Sequence, residues 1–496
     1  TEARRPTMSP GLHNIDGGDS DEELSIGMYP EVETTEQQRA LLTLAKEVCG
    51  LLKPNYRYVK DIKSFMYCPV GSVLWEKTSR DDVIAVISEM FLAEDIAAPP
   101  GVDATKPSFI NSMMPLIRSV SLLGVPTFPT EIQHNPRFLV FQNVIYNLAD
   151  GTTKDIEVSD YIVETLDWSY DEANIDPTVY ENIKASFTQV FNDNELLTSS
   201  MLMWLAYNLT GETREDMFMV HLGSSAGNGK STLSKVFEKC FGMYHVTLDR
   251  RAFQKNYYHR DKFLLKCKGK RFIVVEELDE DKLDTALIKE FVSGGNVSLV
   301  RIHQAEAESV RLIGKLNFIS NMQPVFDVDE GIRRRGLTCL YKNKFVEVPE
   351  GQEASLKPRH HRKVKDYVSR FDYIQVRTTF FAMLAQYAKR YYEQKTLGLV
   401  PELRDQFKVV CDDNAPVLAA FEEHFVITRD DNDRVYSKEV ARILNFELTD
   451  IKPALLQIGI KFNRNVRPGK GSPFPQKRGC FLGIQHKGVG EEYPSE

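Results

Sequence analysis

Residues 217–232 read MFMVHLGSSAGNGKST, a short apolar run followed by small residues and then by a lysine, a serine and a threonine. A strand, a glycine-rich turn and a helix in this order predict a phosphate-binding loop, or P-loop. Small residues let backbone N–H groups turn inward around phosphate oxygens, and the amino end of the following helix favours negative charge. The stretch therefore predicts an α/β domain that binds a nucleoside triphosphate.

The P-loop pattern assigns a role to each of its residues. Lys230 would neutralise the β and γ phosphates and Ser231 would ligate a metal ion, so ATP and Mg²⁺ are the expected cofactors. The pattern departs at its start, because Ser224 stands where a glycine is expected and Gly223 lies one residue earlier. The non-functional alternative is a flexible turn ahead of a helix. The expected cofactor-binding residues are Gly223, Ser225, Ala226, Gly227, Asn228, Gly229, Lys230, Ser231 and Thr232.

A second apolar run, RFIVVEEL at residues 271–278, ends in Glu276 and Glu277. A pair of carboxylates after a strand downstream of a P-loop is typical of a Walker B motif. One of them, Glu276, would help to hold Mg²⁺, and the other would orient the attacking water. Two glutamates after a strand are usually only a solvated strand end, so their position behind the P-loop favours the catalytic interpretation.

A third run, KLNFISNMQP at residues 315–324, ends with Ser320 and Asn321. A neutral amide at this place can hydrogen-bond both the γ-phosphate and the attacking water, and would sense whether the phosphate is present. The alternative is an asparagine that forms an ordinary turn before Pro324. We predict that Asn321 is catalytic.

Three consecutive arginines, Arg333, Arg334 and Arg335, follow in GIRRRG. Such a run is most often a solvated or nucleic-acid-facing patch. Just past the sensor strand, however, an arginine can reach the γ-phosphate of a neighbouring subunit as a finger in trans, which requires a head-to-tail ring. We favour Arg334 and Arg335 for this role.

The segment KEFVSGGNVSLVRIHQAE, residues 289–306, separates the acidic pair from the sensor. Residues 294–296 suit a tight turn, and Arg301 and His303 fall on one face of the strand that follows. In a ring this hairpin would point into the pore and grip phosphates, with Lys289, Arg301 and His303 as DNA contacts. An ordinary surface hairpin is an equally weighted alternative.

Two local features stand out in the rest of the chain. Asp150-Gly151 predicts the turn of a β-hairpin, and the strongly apolar residues 196–209 predict a buried helix. Strands that alternate with helices in the middle third predict a mostly parallel sheet covered on both faces. The predicted regions are a disordered acidic linker (1–33), a helical N-terminal or collar region (34–210), the ATPase domain (211–345), a helical extension (346–410) and a small α+β, winged-helix-like domain (411–496).

The bulk composition is that of an ordinary soluble protein, with 496 residues and 42% hydrophobic side chains. The seven cysteines are scattered and form no CxxC pair, so the sequence predicts neither a zinc site nor a disulfide framework. It contains no long apolar run and no signal pattern, so neither membrane insertion nor secretion is expected. An intracellular protein is expected. A net charge of −8 argues against a protein coated in nucleic acid but allows a basic channel. A start at Thr1 suggests a processed or truncated product.

These four motifs in this order resemble a superfamily 3 helicase, the replicative type of DNA viruses, phages and plasmids, and most of all the poxvirus-type nucleoside triphosphatase of large DNA viruses and mobile elements. The resemblance spans residues 135–345. It includes FQNVIYNL (141–148), LDWSYD (166–171) and LAYNLTG (205–211) ahead of the P-loop, and the KEFVSGGN segment is similar to the hairpin motif of the family.

The resemblance implies a helical collar before an AAA+-like ATPase domain, and homo-hexameric rings that encircle single-stranded DNA at the replication fork and move 3′ to 5′. It also implies a primase, fused or separate, and the acidic linker would suit a cut between such a primase and the helicase. A viral protein of this kind would act in the host cytoplasm or nucleus.

Two other functions fit a P-loop. The first is an ATPase switch or assembly platform in a replication complex without unwinding activity, against which the hairpin and the paired glutamates argue. The second is a small-molecule or nucleoside kinase, but such enzymes are usually far shorter and lack this asparagine and arginine run. An ATP-dependent replicative DNA helicase is the function that the sequence favours.

Overall fold

The computed structural model describes residues 36–100, 102–119, 121–223, 225–255, 257–300, 307–349, 351, 353, 356–469 and 472–487. The predicted acidic linker at residues 1–33 lies outside these described residues. The chain forms two compact units, one built from residues up to Met66 and from Thr78–Thr127, the other from Tyr67–Lys77 and from Phe128 onward.

Helices and strands are numbered along the chain. The α-helices of the described residues are α1 (Glu36–Leu52), α2 (Arg80–Leu92), α3 (Pro107–Ile117), α4 (Pro177–Val190), α5 (Glu195–Leu209), α6 (Lys230–Phe241), α7 (Arg260–Leu264), α8 (Thr285–Val292), α9 (Glu330–Arg335), α10 (Ile374–Gln394), α11 (Glu402–Asn414), α12 (Pro416–His424), α13 (Ser437–Leu444) and α14 (Leu448–Gln457). The strands are β1 (Tyr56–Val59), β2 (Ser64–Tyr67), β3 (Glu76–Thr78), β4 (Gly124–Val125), β5 (Phe138–Val140), β6 (Val144–Asn147), β7 (Thr153–Asp155), β8 (Phe218–Leu222), β9 (His245–Leu248), β10 (Phe272–Glu276), β11 (Asn296–Val300), β12 (Ala307–Arg311), β13 (Lys315–Ser320), β14 (Gly336–Leu340), β15 (Lys344–Val346), β16 (His360–Arg362), β17 (Phe425–Ile427), β18 (Arg434–Tyr436), β19 (Lys461–Asn463), β20 (Cys480–Leu482) and β21 (Ile484–His486).

In the first unit, α1 and α2 pack against α3 and β1 pairs in parallel with β4. Helix α2 begins at a capping box in which Ser79 and Asp82 satisfy each other's backbone N–H groups. Its buried face carries Val83 and Ile87, which recur at helical spacing. This spacing gives the unit a small apolar core of its own.

The second unit is organised around a five-stranded sheet with the order β14-β8-β13-β10-β9, in which every neighbouring pair is parallel. Strands β8 and β13 are buried along their whole length, since helices cover both faces of the sheet. One face packs against α4, α5, α6 and α10, and the other against α8 and α11. The predicted parallel sheet is confirmed. Strands β8, β10 and β13 lie in the predicted apolar runs, whereas β9 and β14 were not predicted.

Other local predictions are also confirmed. The Asp150-Gly151 turn joins β6 and β7, with Gly151 in the left-handed region at a φ of 84°. The apolar helix is α5, and twelve of its fifteen residues are buried. Helices α13 and α14 lie in the chain between β18 and β19, and β18, β20 and β19 form a three-stranded sheet in that order. The winged-helix-like domain stays a prediction.

Two regions expected to be mainly helical also contain strands. Residues 34–210 include β1 to β7 and contribute to both compact units. The predicted helical extension at 346–410 contains α10 and most of α11, but also β16, which pairs with β15 in parallel. These strands have two to four residues, too few for an alternating pattern to show in the sequence. Among the described residues, no helix is long and apolar enough to cross a membrane.

Candidate active site

The P-loop lies at the carboxyl edge of the sheet, between the end of β8 and the start of α6. Gly227 and Gly229 have φ angles of 79° and 90°, in the left-handed region that favours glycine. Gly229 directly precedes α6, and no side chain caps that end of the helix. The free N–H groups of the first turn, together with the helix dipole, therefore suit an anion.

Gly223 makes room for the interior of the loop. A Cβ atom at this position would lie 2.0 Å from the Asn228 amide nitrogen and 2.5 Å from the Lys230 ammonium nitrogen. The Asn228 amide also donates to the Ser225 carbonyl oxygen at 2.8 Å, which closes the loop across its base. Ser224, where the sequence pattern departs, lies outside the described residues.

Lys230 is buried, with 4% of its side chain exposed. Its ammonium group donates to two neutral amide oxygens, that of Asn228 at 3.0 Å and that of Asn321 at 2.8 Å. Burial lowers the pKa of Lys230 to about 8. A buried cation that is held by neutral groups gains most from an incoming anion, because Coulombic attraction is strong where water is excluded.

The predicted Walker B carboxylates lie at the same sheet edge as Lys230 and Asn321. Glu276 ends β10 and is paired in register with Ile319 of β13, two residues before Asn321. Burial raises the pKa of the half-buried Glu276 carboxyl group. Glu277 is exposed and has a φ of 56°, which costs a non-glycine residue about 1 kcal/mol or more. Strain of this size is typical of residues that a functional site orients.

Two predicted metal-binding residues suit Mg²⁺ in chemistry and in placement. Ser231 lies in the first turn of α6, and Glu276 lies at the end of β10, at the carboxyl edge of the sheet that also holds the P-loop. Burial raises the pKa of Glu276 although the nearby Lys235 charge acts in the opposite direction, and a divalent cation would stabilise the carboxylate further. The described residues hold no cluster of three or more metal-binding side chains. Mg²⁺ usually takes one or two protein ligands together with phosphate oxygens and water.

The arginine run lies at the opposite edge of the sheet. Helix α9 leads directly into β14, whose first residue, Gly336, pairs with Phe218 at the start of β8. Since the strands are parallel, one strand length of about 16 Å separates this edge from the P-loop edge. The arginines of one chain therefore lie far from its own Lys230.

The three arginines differ in their surroundings. Arg333 is 23% exposed and forms ion pairs with Asp412 at 3.3 Å and with Glu422 at 3.5 Å. Arg335 is only 12% exposed and donates to the Gly331 carbonyl oxygen at 3.0 Å. Arg334 is 57% exposed, and its one ion pair in the described part of the chain is to Asp216, at 3.5 Å. Of the two predicted fingers, Arg334 is the one that faces solvent.

The predicted hairpin is present as the antiparallel pair β11 and β12, and its DNA contacts stay a prediction. Gly294, at a φ of 67°, lies in the turn that leads from α8 into β11, as the sequence suggested. Arg301 and His303 lie outside the described residues, between the two strands. Lys289 on α8 instead contacts Asp329 at 2.6 Å, and Asp329 also caps α9. The Lys289 ammonium group thus links α8 to the start of α9.

A buried polar network beneath the P-loop was missed by sequence reasoning. The His221 ring bonds to the Tyr341 hydroxyl at 2.8 Å and to the Asn317 side-chain oxygen at 3.1 Å. The same oxygen accepts from the Trp204 indole at 2.8 Å, and the Asn317 amide donates to Asn208 at 3.0 Å. The sequence carries one signal for this network, since His221 and Asn317 are polar residues within two otherwise apolar strands.

A second missed contact holds the P-loop from outside. The backbone N–H of Phe345 in β15 donates to the Gly227 carbonyl oxygen at 2.7 Å. The Phe345 ring also lies close to Gly229, where an added Cβ would be 3.4 Å away. Strand β15 therefore fixes the two glycines whose conformations shape the loop.

Two family models match this sequence, one ahead of the P-loop and one over the residues from β8 to α9. Residues 43–193 match the family described as D5 N terminal like, and residues 221–335 match a family of unknown function, DUF5906. The chain is 21% identical over 304 residues to "Putative helicase L207/L206" of Acanthamoeba polyphaga mimivirus. That match covers 58% of this chain but only 30% of the mimivirus protein.

Solved structures give a weaker likeness. The A form apo structure of the NrS-1 C-terminal region is 11% identical and covers 88% of this chain and 98% of its own, with a TM-score of 0.44. The apo structure of NrS-1 residues 305–718 has the same identity and TM-score. A TM-score at this level does not establish a shared domain arrangement. The D5-type match and the mimivirus relative agree with the resemblance of this chain to viral superfamily 3 primase-helicases.

Proposed function

We propose that this chain is the motor of an ATP-dependent replicative DNA helicase that translocates on single-stranded DNA as a hexameric ring. The carrying observation is the buried Lys230 ammonium group, which neutral amides hold at the edge of a parallel sheet. The Walker B carboxylates and the sensor asparagine reach the same edge. This arrangement suits phosphate binding followed by hydrolysis.

Each residue at that edge has a distinct task. Lys230 neutralises the terminal phosphates, and the free N–H groups of the loop bind their oxygens. Ser231 and Glu276 would hold Mg²⁺, which neutralises charge on the phosphates when bound. Glu277 orients the attacking water, and Asn321 exchanges its contact with Lys230 for one to the γ-phosphate or to that water.

The position of the arginines supports the proposed ring. An arginine finger must reach a γ-phosphate, yet Arg334 lies about one strand length, or about 16 Å, from the P-loop of its own chain. A neighbouring copy in a head-to-tail ring would bring Arg334 to that site in trans. The AAA+-like domain and the six-membered ring come from the family resemblance.

DNA contact is assigned to the hairpin of β11 and β12. Arg301 and His303 fall in the sequence between β11 and β12, and we assign to them the contacts with DNA phosphates. The mimivirus relative is named as a putative helicase, which supports a helicase function for the chain but does not bear on the hairpin itself. A primase, fused or separate, is the expected partner because the family pairs the two activities.

The test uses the purified full chain, single-stranded DNA and a forked duplex. We expect ATP hydrolysis to rise with single-stranded DNA, and Lys230→Ala to abolish both hydrolysis and unwinding. Arg301→Ala should keep hydrolysis and lose unwinding. Its matched control is Arg311→Ala, which removes an equal charge from the exposed base of the same hairpin. A hexamer that hydrolyses ATP but never separates the fork would favour the assembly platform instead.

A further inference from the structure

Positive charge is concentrated in one loop of the C-terminal domain. Residues 461–478 contain six lysines and arginines and no aspartate or glutamate, although the whole chain has a net charge of −8. Most of these basic residues lie between β19 and β20, in residues 464–469 and 472–479, which we call the wing. A local excess of this kind within an acidic protein is typical of phosphate binding.

The basic side chains of the wing are available to a partner. Arg464, Arg467, Lys477 and Arg478 are all exposed. Within the described residues, none of these four has a carboxylate at ion-pair distance, whereas Lys461 at the base of the wing is held by Asp431 at 3.0 Å. In the part of the chain that the structure describes, four cations without a carboxylate partner therefore share one loop.

The backbone of the wing is anchored to the domain. The Gly469 N–H donates to the Arg434 carbonyl oxygen at 3.0 Å, and the Gly479 N–H donates to the Val466 carbonyl oxygen at 3.0 Å. The Phe474 ring packs against Tyr436, with 5.5 Å between ring centroids. The four cations are thus presented on a supported loop, which reduces the entropy lost on binding.

The aromatic rings around the wing are engaged inside the domain. Phe474 packs on Tyr436, and Lys452 lies over the Phe462 ring, 4.3 Å from its centroid. Sites for single strands usually offer exposed aromatic rings on which bases stack. The described wing offers cations without such a ring, which suits the phosphate backbone of a duplex.

Helix α14 occupies the place of a recognition helix, but its surface does not suit a DNA groove. Ala454 and Gln457 of this helix line a cavity shared with residues 325–328 of the ATPase domain. The one basic residue of α14, Lys452, is the residue that covers Phe462. A helix with this surface lacks the exposed cations that support docking into a major groove.

We propose that the wing is a second DNA site, separate from the hairpin, which binds the phosphate backbone of double-stranded DNA without reading its sequence. In this site the wing, rather than the helix, makes the contact. The site requires neither nucleotide nor translocation, so it is independent of the motor function proposed above. It would hold duplex DNA next to the ATPase domain.

The experiment measures DNA binding by the full chain without nucleotide, using fluorescence anisotropy on a blunt duplex and on one of its strands over a range of salt concentrations. The wing variant is R464Q/R467Q/K477Q/R478Q. We expect its duplex affinity to fall at least about tenfold, and the slope of log affinity against log salt to become shallower by roughly 3, since each lost phosphate contact removes about 0.9. Affinity for the single strand should change less than about twofold.

The matched control, K46Q/K53Q/K60Q/K63Q, removes four exposed lysines from the first compact unit. Duplex affinity that is unchanged in the wing variant, that falls as much in the control, or that falls together with single-strand affinity would overturn the proposal. Thermal melting checks the fold. If the quadruple variant melts early, the pair R467Q/R478Q decides the question, with about half the change in salt slope expected and no change refuting it.

Discussion

The ammonium nitrogen of Lys230 lies 2.8 Å from the side-chain oxygen of Asn321, although 91 positions separate the two residues along the chain. They meet because β8 and β13 are adjacent parallel strands whose carboxyl ends share one edge of the sheet. Asn321 and a bound phosphate would compete for the same ammonium hydrogens. This competition gives the asparagine a way to respond to the phosphate.

Asn321→Ala should slow ATP hydrolysis by about 100-fold, because the group that positions water and phosphate is lost. Nucleotide affinity should change less than about tenfold, since the competing contact to Lys230 is lost as well. Steady-state hydrolysis and nucleotide titration measure the two effects. Gln323→Ala, two residues further on and exposed, is the control and should resemble the wild type. Wild-type turnover in Asn321→Ala would contradict the sensor role.

Nucleotide binding should weaken at alkaline pH. Burial lowers the pKa of Lys230 to about 8, and bound phosphates would raise this pKa by stabilising the ammonium form. Above that pH, binding requires proton uptake, so affinity should fall by up to roughly tenfold per pH unit. Titration of a fluorescent ATP analogue at a series of pH values around and above about 8 measures this affinity. Lys230→Arg stays charged and should give a flat profile, whereas a flat wild-type profile would contradict the prediction.

Two glycines on either side of α6 should differ sharply in their response to alanine. Gly223→Ala would push a methyl group against Asn228 and Lys230, so nucleotide binding should fall by about 100-fold or more. Gly242→Ala meets no atom within 4 Å and should bind nucleotide like the wild type. Isothermal titration calorimetry compares the two variants. Equal affinities would show that the loop can rearrange around the added methyl group.

The arginine run should separate into one functional and two structural residues. Arg334→Ala should lower hydrolysis about 1,000-fold with the melting temperature unchanged, because the side chain is exposed. Rings mixed from Arg334→Ala and Lys230→Ala subunits should regain part of the activity, since some interfaces then hold both groups. Mixed rings that stay inactive would argue against a finger in trans.

Arg333→Ala and Arg335→Ala should instead destabilise the fold by about 1 to 3 kcal/mol, because each leaves partners of a largely buried guanidinium group unpaired. Urea denaturation measures this loss, with Arg334→Ala as the comparison. Equal stability in all three variants would contradict the division drawn from their burial.

Stability should decline in mild acid. Burial lowers the pKa of His221 to about 4, so the folded chain keeps this ring neutral while the unfolded chain protonates it below about pH 6.5. Stability should therefore fall by up to about 3 kcal/mol from this residue as pH decreases from about 6.5 to about 4. Urea midpoints across this range should fall less steeply in His221→Gln. His424→Gln, at an exposed position, should keep the wild-type slope.

The sequence by itself determined three strands of the central sheet, the P-loop and the order of the motifs. These features are local: apolar run length and β-branched residues define β8, β10 and β13, and glycines allow the loop its left-handed angles. The turn at Asp150-Gly151 and the apolar helix α5 follow for the same reason. Each could be predicted because neighbouring residues carry the whole signal.

Only the tertiary structure decided which side chains meet. The order of the strands brings the Asn321 side chain within hydrogen-bond distance of the Lys230 ammonium group. Ion pairs to Asp412 and Glu422 hold Arg333, whereas Arg334 stays exposed. The network around His221 likewise joins strands and a helix that are distant in the chain. Burial and partners depend on contacts between distant segments, and a single sequence pattern carries no record of those contacts.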